Sequence, residues 1–67
     1  MIRVKIIWKD NSESYAMGMG LYTQFVDKAK NYRSVLIAAR TARKIKATDD
    51  LVKDAVVVTD TDTYKVW

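Results

Sequence analysis

Sixty-seven residues with 49% hydrophobic and 30% charged content make one globular domain, spanning 1–67, and exclude both a disordered chain and a second core. The chain contains no Cys and no His, so disulfides, a zinc site and the Ser–His and Cys–His mechanisms are excluded with them. Of the net +4, seven cations fall between Lys28 and Lys46 with no carboxylate among them, while the rest of the chain carries five basic and eight acidic residues. Such asymmetry steers anionic partners.

Ile2, Val4, Ile6 and Trp8 alternate with Arg3, Lys5, Ile7 and Lys9, which predicts a half-buried strand. Asp10, Asn11 and Ser12 are turn formers. Tyr15, Met17, Met19 and Leu21 then alternate with Ala16, Gly18 and Gly20, so Ser14 to Gly20 reads as a second strand in a hairpin. Its small residues leave room for a helix or another backbone. Leu21, Phe25, Ala29 and Tyr32 share a helical spacing, although a strand or an ordered loop fits the same segment.

Ser34 to Lys46 is predicted as a helix, with Ser34 as N-cap. Steps of 100° place Val35, Leu36, Ala38, Ala39, Ala42 and Ile45 on one arc, and Arg43, Lys44 and Lys46 in the last turn, where the helix dipole favours cations. Residues 47–54 read as a connection. Ala55 to Thr59, with three consecutive valines, suits a strand buried on both faces. A turn at Asp60, Thr61 and Asp62 leads to a last strand from Thr63 to Trp67. The fold class is therefore α+β, a small ββ(α)αββ domain with a four-stranded, mainly antiparallel sheet and helix packed on one face.

Catalytic chemistry is poorly supplied. Glu13 is the single glutamate, and a chain this short has little volume for a substrate pocket, so no enzyme, cofactor or metal site is expected. Gly18-Met19-Gly20 lacks the third glycine and the Lys-Ser/Thr pair of a phosphate loop. Asp60 and Asp62 lack the further oxygens, the glycine and the terminal Glu of a calcium loop.

Two surfaces are candidates for binding. Arg33, Ile37, Arg40 and Lys44 stack at i, i+4, i+7 and i+11 if helical geometry reaches back to Arg33, with Arg43 nearby. An isoleucine among cations suits a protein contact, and equally a solvated face with one stray apolar residue. The second is the sheet face away from the helix, where Arg3, Lys5, Ile7 and Lys9 are joined from the last strand either by Thr63, Lys65 and Trp67 or by Tyr64 and Val66, a mixture of basic and aromatic groups. That mixture suits single-stranded nucleic acid or a homodimer, while Trp67 also fits as a cover for the sheet edge.

The leading expectation is a small non-enzymatic regulatory or inhibitory protein that docks on another protein through the basic helix face. In size and simplicity, though in no motif, it is similar to accessory proteins of phages and mobile elements. One alternative is nucleic-acid binding through residues 28–46 and the sheet face. Another is a structural homo-oligomer. The first nine residues lack an apolar run long enough for a signal peptide and nothing approaches a membrane span, so cytoplasmic residence is expected.

Overall fold

Alternating β-branched residues at the N-terminus form β1 (Arg3–Trp8), which a tight turn folds back onto β2 (Glu13–Gly18). In that turn Trp8 N–H donates to Ser12 O and Asn11 N–H donates to Trp8 O, and Asn11 sits at φ 70. Asn tolerates this left-handed conformation, and the Asp10 carboxylate fixes the turn by accepting from Ser12 N–H at 2.9 Å. The computed structural model describes residues 1–18 and 20–66.

Beyond the expected hairpin, Leu21–Thr23 forms β3 against β2, then a single 3₁₀ turn covers Val26–Lys28. α1 spans Val35–Thr48, β4 spans Val52–Val58 and β5 spans Thr63–Lys65. All pairings are antiparallel, in the order β3-β2-β1-β4-β5, so the sheet has five strands where the sequence suggested four.

Of the courses open to it, the segment holding Leu21, Phe25, Ala29 and Tyr32 takes a short strand and an ordered loop with one 3₁₀ turn, and not the helical stripe. Its backbone groups are used by the sheet. Even-numbered residues of β1 direct their peptide groups toward β2, as Trp8 N–H does toward Ser12 O. At the other end of these strands Lys30 N–H donates to Ala16 O and Tyr32 N–H to Ile2 O. Residues 30–32 thus enter between β1 and β2 where the two part. This buries Ala29 and Tyr32 and leaves Leu21 and Phe25 exposed.

Close approach of backbone therefore occurs at Ala16 rather than at the glycines. A Cβ placed on Gly18 or Gly20 would meet nothing within 4 Å. Both have positive φ, 150 and 77, and only glycine adopts such angles freely where β2 turns into β3.

Ser34 caps α1 as expected, its hydroxyl accepting from Ile37 N–H at 3.2 Å. The helix runs two residues past Lys46. Thr48 Oγ1 donates to Lys44 O, and Asp49 N–H to Ile45 O, which leaves Lys46 as the basic residue of the last turn. Ala38, Ala42 and Ile45 are buried against Val4, Ile6, Ala55 and Val57. Leu36 lies about 180° from Ile45 on the helical wheel, so it points outward at 62% exposure, and Val35 is also exposed. The apolar arc is narrower than the sequence suggested.

β4 starts at Val52, inside the expected connection, because Val52 joins the core and pairs with Trp8 across a bulge. The strand is buried on both faces as anticipated. Val57 is in the core beneath α1, and Val56 is 5% exposed on the open face, flanked in register by Lys5 and Lys65.

Because Ala42 is fully buried between α1 and the sheet, Ala42→Leu has no space to fill. It should cost ~1–3 kcal/mol by forcing the two layers apart, measured as a lower urea midpoint with unchanged slope.

Candidate interaction surfaces

Outward residues of α1 are supplied by the same 100° periodicity that buries its alanines. Ile37, Arg40, Arg43 and Lys44 are all exposed, with Ile37 at 43%. Arg33 is exposed too, but it precedes the Ser34 cap, which has extended backbone (φ −152). The helical stripe hence consists of Ile37, Arg40 and Lys44, with Arg33 approaching along an extended segment. Leu36 joins the surface from the adjoining row, and the sequence signal for this is its position about 180° from Ile45 on the helical wheel.

The charges on this surface are free. Among the described residues Lys46 pairs with Asp54 at 3.2 Å, while Lys28, Lys30, Arg33, Arg40, Arg43 and Lys44 meet no carboxylate within bonding range. Lys28 stands over the Phe25 ring and Lys30 over the Tyr32 ring, at 5.3 and 5.2 Å. The acidic residues that follow α1 are largely engaged elsewhere. Asp49 accepts from Leu51 N–H, and Asp54 accepts from Ala55 N–H as well as pairing with Lys46. They do not neutralise the outward face.

The sheet face away from α1 gathers Arg3, Lys5, Ile7 and Lys65. Lys5 pairs with Glu13 at 3.0 Å, Ile7 is half-buried, and Lys65 is exposed. Tyr15 opposes Lys5 on β2, adding an aromatic group that the sequence reading left out. Arg3 Nη2 donates to Met1 Sδ at 3.3 Å, and its Nε is buried with no acceptor among the described residues. Trp67 lies outside the described residues, as does Met19 of the glycine pair.

A shallow depression of about 480 Å³ lies at the β1–β2 turn, lined by Trp8, Lys9, Asp10, Ser14, Gln24 and Leu51 among others. Its aromatic floor is structural. Trp8 Nε1 donates to Ser14 Oγ at 3.0 Å, and the indole meets the Tyr22 ring edge-on at 5.0 Å. Asp10 is held below the usual carboxylate range by hydrogen bonds from Ser12, so it remains an ionised acceptor.

Asp60 accepts from the N-terminal ammonium at 2.8 Å and Asp62 from Thr61 Oγ1 at 2.9 Å, and each therefore has an ordinary partner. Among the described residues no three carboxylates converge as a metal site would require. No helix among them is long and apolar enough to cross a membrane. No family model, curated protein or solved structure matches the chain.

Tyr32 carries a cost within the core. Its hydroxyl is buried without a hydrogen-bond partner among the described residues; Thr41 lies near enough to draw its ionisation down, but outside bonding geometry. Burial dominates and raises its pKa above the ordinary 10.0, and Tyr22 is raised likewise by burial and then by Asp49. A raised tyrosine pKa favours the protonated folded state, so this contribution is intact below pH 10.0 and is lost as pH climbs from there through the folded value. Tyr32→Phe should stabilise the protein by about 1 kcal/mol, because it removes an unsatisfied hydroxyl. It should also flatten the alkaline limb of stability in denaturant titrations at neutral and high pH.

Proposed function

We propose that the protein is a non-enzymatic binding module that docks on an acidic surface of a partner protein through the outward face of α1, and regulates or inhibits that partner by occupying it. The observation that carries this reading is the exposure of Leu36 and Ile37 beside the unpaired Arg40, Arg43 and Lys44. Protein interfaces combine an apolar centre that is fully desolvated with a rim of arginines and other polar groups. A surface that tracks phosphates has little use for a leucine and an isoleucine at its middle, since its affinity comes from charge. Lys46 is the helix cation that pairs with Asp54, so Arg40, Arg43 and Lys44 are left without a carboxylate partner among the described residues.

Long-range attraction by Arg40 and Lys44 would set the encounter rate, while Leu36 and Ile37 would set the lifetime of the complex. Arg40→Glu with Lys44→Glu should slow association and remove most of its salt dependence, whereas Ile37→Asp should shorten the complex lifetime. Both variants should keep the wild-type circular dichroism, because these side chains are exposed. Affinity capture from host extract with wild-type and variant chains side by side, followed by surface-plasmon kinetics on the protein retained, measures each effect. A parallel titration of random single- and double-stranded nucleic acid guards the conclusion: tight binding that falls steeply with salt and is lost with Arg40→Glu/Lys44→Glu would replace a protein partner by nucleic acid.

A further inference from the structure

The sheet has three stretches with a free backbone edge, and they are not defended alike. On β4, Val52–Ala55 extends beyond the residues that pair with β5. There Ala55 N–H is capped by the Asp54 carboxylate, which Lys46 holds in place. On the outer side of β5 stands Lys65, following a turn that carries Asp60 and Asp62. Charged edge residues and capped amides are the usual devices against strand addition.

The third edge, β3, has neither of these, although it is only three residues long and its pairing with β2 is bulged between Ala16 and Gly18, two features that limit strand addition. Leu21, Tyr22 and Thr23 are uncharged, and Leu21 is 62% exposed. Peptide groups of Ser12, Ser14 and Ala16 face β1, so those of Tyr15 face β3, and Tyr15 is paired with Thr23. The alternation then turns Tyr22 N–H and C=O away from β2, toward the open edge, and neither bonds to a turn or loop backbone group among the described residues. Around this edge Met17, Phe25 and Val26 are exposed as well, which places apolar surface beside unpaired strand backbone, with Lys28 over the Phe25 ring.

We propose that β3 is a self-association edge, and that a second copy of this chain pairs with it antiparallel about Tyr22. A two-fold axis through that residue sets each Tyr22 N–H opposite the other copy's Tyr22 C=O, giving both free groups a partner. The same axis brings Leu21 of each copy beside Thr23 of the other, with no like charges opposed. The pairing is self-complementary, because the axis sets no charged residue of β3 opposite another and gives each copy's free groups the same partner. A chain of 67 residues without disulfides also stands to benefit from the added apolar burial. Both α1 helices would lie on the same side of the joined sheet, with their outward faces open.

Sedimentation velocity over a concentration series tests this. The wild-type chain should pass from monomer to dimer. Leu21→Lys, which brings two lysines to diagonal positions on one face of the joint and removes the apolar contact with Thr23, and a chemically synthesised chain N-methylated at Tyr22, which lacks the one donor, should each move the transition to higher concentration by at least several-fold. Ile37→Asp should leave it unchanged. A chain that stays monomeric throughout, or a dimer indifferent to both edge changes, overturns the proposal. A dimer lost only with Ile37→Asp overturns it too, by placing the contact on α1. Should Leu21→Lys lose the wild-type circular dichroism, the N-methylated chain carries the test.

Discussion

Alanine sets the distance between the two layers. Ala38 and Ala42 on α1, with Ala16 and Ala55 on the strands beneath, have no exposed surface, and each removes volume that a leucine would occupy. The helix therefore lies close to β1 and β4, and the larger side chains at the contact, Val4, Ile6, Val57 and Ile45, interlock around it. Everything else adjusts to that spacing. Residues 30–32 have to reach the start of α1 across the parted ends of β1 and β2, and they do so by taking the carbonyls of Ala16 and Ile2.

A core built from small residues has an effect on the surface. Leu21, Phe25, Leu36, Ile37 and Leu51 are among the bulkiest apolar side chains of the chain, and all are exposed, while the interior is mostly alanine and valine around Ile6, Ile45 and Tyr32. Scattered apolar exposure is normal for a soluble domain. What distinguishes this molecule is that the exposed residues fall into groups with different electrostatic surroundings. Leu36 and Ile37 sit among cations on a rigid helix, whereas Leu21 and Phe25 lie near an uncharged strand edge. Two chemically distinct apolar areas are thus exposed on one molecule.

Much of this was legible in the residues. β1 followed from its alternation, the first hairpin from Asp10-Asn11-Ser12, and α1 from Ser34 and its run of alanines. The exposure of Ile37, Arg40, Arg43 and Lys44 also followed from helical spacing. The course of residues 21–32 was not legible, since its backbone bonds to Ala16 and Ile2 are long-range and leave no local periodicity. Leu36 departs from the expected arc because that arc is wider than the contact with the sheet, which takes only Ala38, Ala42 and Ile45 as buried residues. The free edge of β3 depends on strand order, which no single stretch of sequence encodes.

The register of the sheet also orders the events of folding. Both hairpins on the β3 side, and the α1–β4 contact, join residues close in sequence, whereas β1 meets β4 by pairing Arg3 with Val58 and Lys5 with Val56. Closing so long a loop is entropically expensive until the flanking elements exist, so this ladder forms late. The two halves of the chain can each begin to take shape separately. The last seam to close is the one that runs through the middle of the finished sheet.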